Sequence, residues 1–260
     1  MSLSRILIAV CVLLLGLSGR AYAQATDDFK GFYVGATVGG AQIHSNPSTT
    51  TTFSPTGYFA NSSPVAIGQI GQQPVTATGF TGGVQAGYNF QFSHFVFGLE
   101  ADYNTMNLSG TKTATNFYPC CPPPNNTFTI TQTVSTTGLF TGRARLGIAN
   151  GHYLAYITGG VASATVNYTA VFTDTFATAH ENGGYNATRS GSVFGFGAED
   201  KINPKVTLKG EYLFANFGTL SSTSTNLTAF TPPIAFPTNV FTHSAGLSAS
   251  LVRFGVNFHF

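Results

Sequence analysis

Charge is scarce in this chain. Lys and Arg number 11, and Asp and Glu 9, among 260 residues. An ordinary water-soluble domain charges about a quarter of its residues. Long apolar runs are lacking as well. Past the N-terminal stretch, no segment reaches 18 consecutive apolar residues, which excludes a membrane-spanning helix. Trp is absent, so any interfacial girdle of aromatics must come from the 11 Tyr and 24 Phe. Cys occurs only three times, too few for a disulfide framework. Gly, Thr, Asn and aromatic residues make up much of what is left. A wall that alternates between lipid and lumen needs that composition, because no single run of it looks hydrophobic.

The N-terminus reads as a targeting segment. Arg5 supplies a positive charge, Ile6 to Leu17 form an apolar run of 12 residues, and Ala21-Tyr22-Ala23 is an A-x-A cleavage site. Residues 1–23 are therefore expected to be a signal peptide. Cys11 lies inside the apolar run with Val10 before it, which does not fit a lipoprotein attachment site. The remaining 24–260 segment carries nine acidic and nine basic side chains and is formally neutral. Net charge thus gives no reason to expect a nucleic-acid partner. The two remaining cysteines, Cys120 and Cys121, are adjacent between Pro119 and Pro122. They read as loop thiols or as a local vicinal disulfide, and their neighbours offer no metal ligands.

Eight stretches alternate with period two: 31–43, 78–92, 95–108, 132–149, 152–169, 188–202, 205–217 and 243–260. Three connections are two residues long: Ser93-His94, the hairpin-forming Asn150-Gly151, and Asn203-Pro204. The other four, 44–77, 109–131, 170–187 and 218–242, are long and together hold 100 residues. Strict alternation of short and long connections is the asymmetry of outer-membrane barrels, and it predicts both chain ends in the periplasm. The first long loop has Ser, Thr, Asn or Pro at 17 of its 34 positions and no Asp, Glu, Lys or Arg. A spanning strand takes about 9–11 residues, so eight strands fit the chain and sixteen do not. The expected fold is all-β, an eight-stranded antiparallel up-and-down transmembrane barrel.

The alternation also sorts charge. Val252, Phe254, Val256, Phe258 and Phe260 share one face of the last strand, opposite Arg253, Gly255, Asn257 and His259. Phe97, Leu99, Ala101 and Tyr103 likewise oppose Gly98, Glu100 and Asp102. The polar parity carries Glu100, Asp102, Glu199 and Glu211 against Arg143, Arg145, Lys201, Lys209 and Arg253. A soluble β-sandwich would show charges on its exposed face, but here the opposite face is greasy. Eight strands leave an interior just wide enough for side chains. These nine charges are therefore expected to pair across the lumen, since a buried unpaired charge is costly.

Gly31-Phe32-Tyr33-Val34-Gly35, the segment Gly82-Gly83-Val84-Gln85-Ala86-Gly87-Tyr88-Asn89 and the closing Val252 to Phe260 stretch resemble the alphaproteobacterial outer-membrane β-barrels. These are the small "porin family" or outer-membrane immunogenic proteins, similar in shape to the OmpA transmembrane domain. The resemblance implies that Val256, Phe258 and Phe260 form the C-terminal signal read by the barrel-assembly machinery. It implies a wall-shaping role for Tyr33, Gly35 and Arg253. The sequence stops at its last strand, so no peptidoglycan-binding domain is expected.

Three functions compete. The first is a non-enzymatic structural and surface protein of the Gram-negative outer membrane, with its lumen plugged by ion pairs. Its partners would be outer-membrane lipids, lipopolysaccharide, the assembly machinery and surface ligands met by the loops. The second is a small porin. The third is a lipid A-modifying barrel enzyme, which needs a Ser, a His and an acid together. His243-Ser244 and His180-Glu181 supply the residue types. Adjacent residues of a strand point to opposite faces, however, and no acid follows His243. No cofactor and no metal is expected.

Overall fold

The computed structural model describes residues 29–120 and 126–260. The expected signal peptide and Cys121 lie outside them. Twelve elements follow in order: β1 (Gly31–Ser45), β2 (Ser48–Thr51), α1 (Ser63–Ile70), β3 (Val75–Phe92), β4 (Phe95–Phe117), β5 (Thr127–Asn150), β6 (Tyr153–Asp174), β7 (His180–Asn203), β8 (Val206–Ser224), β9 (Thr228–Ala229), β10 (Ile234–Ala235) and β11 (Phe241–His259). β1, β3, β4, β5, β6, β7, β8 and β11 pair antiparallel in that order, and β11 returns to β1. The ring is an eight-stranded barrel without a free edge. β2 continues the line of β1 along β11, with Phe241 opposite Thr51 and Ser244 opposite Ser48.

The short turns sit near their expected places. Ser93, with φ +55°, turns β3 into β4, and Gly151, with φ +59°, turns β5 into β6. The strands correct the expected loop boundaries. β4 runs on to Phe117, β5 begins at Thr127, β6 ends at Asp174 and β7 begins at His180. The connections between these strands shrink to 118–126 and 175–179. β5 alone has 24 residues, more than twice what spans a bilayer.

The excess length has a physical explanation. Near the short turns the strands point Phe97, Leu99, Leu146, Ile157, Phe194, Phe254 and Val256 outward, all exposed. Farther along the same strands the pattern inverts. Outward positions become Thr105, Asn107, Ser109, Thr111 and Thr113 on β4. Thr111 and Thr133, Thr113 and Thr131, and Thr115 and Thr129 pair across strands at 2.8, 3.0 and 2.8 Å. Inward positions become Met106, Leu108, Val134, Leu139, Val166, Leu213, Phe217 and Leu251, which pack as one cluster. The first zone has the polarity of a wall facing hydrocarbon and the second that of a wall facing water, so the greasy side changes from outside to inside. Bulges mark the change: the registers skip between Thr105 and Leu108, between Thr136 and Leu139, and between Gly246 and Ser248. In β5 and β8 they also shift which parity faces inward.

A crown closes the far mouth. α1 opens with Pro64 in its first turn, where the missing N–H costs nothing. It lays Ala66 and Ile67 onto Phe59, Tyr118, Phe128, Ile130, Phe172, Leu227 and Phe241. Phe29, Val96, Ala149, Leu154 and Tyr156 form the floor at the short-turn end.

Candidate functional site

The sequence nominates the barrel interior, and the structure assembles its charges from five strands. Glu100 and Asp102 come from β4, Arg143 and Arg145 from β5, Glu199 from β7, Lys209 and Glu211 from β8, and Arg253 from β11. All are nearly or fully buried. Register alone sets Glu100 opposite Arg143, Glu199 opposite Lys209, and Glu211 opposite Arg253. Arg143 Nη2 touches Glu100 Oε1 and lies 2.7 Å from Asp102 Oδ2, while its Nη1 reaches Glu211 Oε1 at 3.0 Å. Arg145 bridges Glu199 at 2.6 Å and Glu100 at 3.3 Å. Arg253 clamps Asp102 at 2.9 Å and Glu211 at 2.6 Å. Lys209 sits 2.8 Å from Glu100 and 3.3 Å from Glu211. Four carboxylates thus meet four cations, and the tier is formally neutral.

Lys201, the ninth nominated charge, lies one step toward the floor. Its Nζ is 5.4 Å from the centre of the Phe29 ring. Several polar partners of these charges were not nominated with them. Tyr33 donates to Glu100 Oε2 at 2.6 Å and Tyr156 to Glu211 Oε1 at 2.8 Å. The Arg145 guanidinium stacks 4.0 Å from the centre of the Tyr156 ring. Thr141 donates to Asp102, and Lys209 also donates to Gln85 at 3.0 Å. The available signal was parity, since each lies on the polar face of its strand.

Glycines make room for these long side chains. Gly39 pairs with Arg253, Gly87 with Glu100, Gly98 with Arg145, Gly160 with Arg143, Gly197 with Glu211, and Gly255 with Lys209. A Cβ on Gly39 would lie 2.1 Å from Val252 O and 2.6 Å from Arg253 Cα. One on Gly87 would lie 2.4 Å from the Tyr33 hydroxyl.

A second polar tier sits beneath the crown. His243 and Glu181 are fully buried, with Nε2 3.0 Å from Oε1. Ser224 Oγ donates to the same Glu181 oxygen and lies 3.1 Å from the same Nε2. A Ser, a His and an acid therefore do meet, although the sequence places them far apart. Their geometry is not that of a nucleophilic relay, in which the acid holds the nitrogen opposite the hydroxyl. Here both compete for Nε2, and Nδ1 faces Thr49 Oγ1 at 3.1 Å. Ser244 lies on the opposite parity from His243.

At the top, Tyr58 and Tyr118 share Asp174 Oδ2, Tyr118 at 2.8 Å. Burial and that carboxylate hold both phenols well above the usual tyrosine range. The Tyr58 ring touches Phe176, Phe230 and Phe236, with centroids 6.3, 6.2 and 5.4 Å away. Phe176 and Phe230 are exposed. At the opposite end Phe260 is also exposed, its ring 5.6 Å from Phe32 and its N–H donating to Phe32 O at 3.1 Å. Val256 and Phe258 point outward beside it. Cys120 is disulfide-bonded. Among the described residues no group of three or more His, Cys, Asp or Glu is placed to hold a metal.

Comparison with known proteins agrees with this architecture. The family model for the outer membrane protein beta-barrel domain matches residues 9–260. The 31 kDa outer-membrane immunogenic proteins of Brucella melitensis and Brucella suis are each 35% identical over 150 residues, 57% of this chain. The chain spans 58% of the length of these relatives. Among solved structures, the outer membrane protease OmpT of Escherichia coli aligns over 92% of this chain and 99% of its own, at 8% identity and a TM-score of 0.46. OprG of Pseudomonas aeruginosa aligns over 89% and 97%, at 10% identity and a TM-score of 0.41. Neither likeness is close enough to carry an activity across.

Proposed function

The chain belongs to the outer-membrane protein β-barrel family, and from that premise we propose that it is a non-enzymatic surface protein whose barrel is closed to solutes and whose crown is its working face. The carrying observation is the neutral tier of four carboxylates and four cations that meet across the barrel axis, nearly or fully buried. A diffusion path would have to break several of these charge pairs at once, and each broken pair leaves a buried charge unmatched. The apolar tier and the crown stack above it.

With the short turns in the periplasm, both chain ends lie there too, and the crown faces outward. Lipid and lipopolysaccharide contact the apolar band, and the assembly machinery reads Val256, Phe258 and Phe260. Surface ligands meet the crown, where aromatic rings stand among Thr, Ser, Asn and Pro and where segments 44–77, 118–126, 175–179 and 225–240 hold no Asp, Glu, Lys or Arg. The absence of a relay geometry around His243 supports the non-enzymatic part.

Planar-bilayer recording of the refolded protein is the test. No stable channels are expected, and reproducible open-state conductance would overturn the closed-barrel reading. A deletion strain is expected to show altered detergent sensitivity or surface adhesion. Wild-type behaviour in both would remove the structural role.

A further inference from the structure

One buried histidine–carboxylate pair stands apart from the ionic tier. His243 on β11 and Glu181 on β7 lie beneath the crown, and each has no exposed surface. The His243 ring lies flat against β7, where a Cβ on Gly183 would come within 2.3 Å of its Cδ2, and it stacks on Phe241 at 6.0 Å and 9°. Other ionisable groups are set back. On β7, Tyr185 donates to Ala245 O at 2.7 Å and feels Arg189. Asp174 on β6 is held by the two crown tyrosines. Lys112 on β4 is exposed. β8 contributes Ser222 and Ser224, β6 contributes Tyr168, β5 contributes Gln132 and β2 contributes Thr49. Among the described residues, His243 is the one basic side chain paired with Glu181.

The hydrogen bonds run in one direction. Gln132 Nε2 donates to Gly71 O at 2.5 Å, and Tyr168 donates to Gln132 Oε1 at 3.1 Å. The Tyr168 oxygen is then left to accept from Thr49 at 3.3 Å. With its proton so committed, Thr49 must accept from His243 Nδ1. Nε2 faces a carboxylate oxygen that already accepts from Ser224. A ring bearing a proton on each nitrogen satisfies both contacts at once. Gly71 caps α1, and its carbonyl also accepts from Thr49 N at 3.1 Å. The chain thus runs unbroken from Glu181 in the wall to the C-terminus of α1 in the lid.

We propose that the His243–Glu181 pair is a proton-operated latch holding the β2–α1 lid on the barrel mouth. Loss of the Nε2 proton leaves Glu181 as a buried carboxylate without a cation. Glu181 Oε2 and Ser222 Oγ already lack partners, so water has two buried polar atoms to enter against. Imidazoles titrate within the range a bacterial surface meets. The lid is closed at mildly acidic pH and loosens as pH rises.

Limited chymotrypsin digestion of the refolded protein in detergent micelles reads the latch, because Phe53, Tyr58 and Phe59 are cleavage sites within the lid. Rates at about pH 6 and about pH 8.5 are normalised to an unfolded peptide substrate. Wild type is expected to be cut in the lid at least roughly tenfold faster at the higher pH, the equivalent of one unit of proton linkage. Glu181→Gln removes the carboxylate and is expected to abolish the difference. His243→Gln strands it and is expected to leave the lid open at both pH values. Heat-modifiable gel mobility verifies that each variant retains a folded barrel. Equal wild-type rates, or the same rise in Glu181→Gln, would overturn the latch. Ring NMR of His243 in the unmutated protein supplies an independent readout. Its titration must coincide with the onset of lid cleavage, and a ring whose charge stays constant across the opening would also overturn it.

Discussion

Arg253 shows what a single residue does in this interior. It bridges Asp102 and Glu211, which come from β4 and β8. Arg253→Ala would leave two carboxylates with reduced compensation, and an unmatched buried charge costs about 3–5 kcal/mol. Urea unfolding from lipid vesicles should show a loss of that order. A change below 1 kcal/mol would mean the tier is wet enough to screen itself. Its cross-strand partner Gly39 makes a second test. A methyl there meets the β11 backbone at Val252 and Arg253, and overpacking typically costs about 1–3 kcal/mol. Gly39→Ala is therefore expected to destabilise the barrel in the same assay, although it changes no charge. The charges of this tier were readable in the sequence because each sits mid-strand on the polar parity. The glycines were visible too, at the same parity. That each faces a particular long side chain follows only from the register, which a sequence does not print.

At the scale of the strand, polarity inversion decides how much was legible. Period two was plain between Phe95 and Tyr103, where a greasy exterior opposed a polar, charged lumen. From Thr105 the exterior turns to threonine, asparagine and serine, and that composition also marks loops. The strands therefore appeared to end where only their surroundings change. In β5 the bulge at Thr136–Leu139 shifts the inward parity by one, so alternation counted through it fails. Ala101 and Thr113 give a direct test, since both point outward on β4. Ala101→Arg places a charge in the apolar band and should cost roughly 2–4 kcal/mol of folding stability in vesicles. Thr113→Arg lies beyond the inversion and should stay within about 0.5 kcal/mol. Equal costs would mean that the band extends over the whole wall.

For the molecule as a whole, the ring of eight strands was legible from the spacing of turns, and the crown was not. Its contacts join Thr49, Gly71, Gln132, Tyr168, Glu181, Ser224 and His243, which are scattered over most of the chain. A Ser–His–Glu meeting of this kind has no local pattern. The crown is separable from the barrel in energetic terms, because its cluster is packed above the apolar tier instead of within the ionic one. Replacing residues 52–72 with a short Gly-Ser linker should leave a folded, heat-modifiable barrel that no longer protects Phe128 and Phe172 from solvent. Failure of that variant to fold in lipid would show that the lid nucleates the barrel.

The threonine-clad stretch of wall has one more consequence. From Leu139 to Thr127 the β5 strand runs beyond the apolar band. At about 3.3 Å per residue and the usual barrel tilt, this lifts the crown by roughly 30 Å. Flexible loops of the same length would lose freedom whenever they were grasped. A hydrogen-bonded cylinder has already surrendered that freedom during folding. The protein therefore has reach without slack, and antibodies against its summit should recognise the folded shape and lose it on boiling.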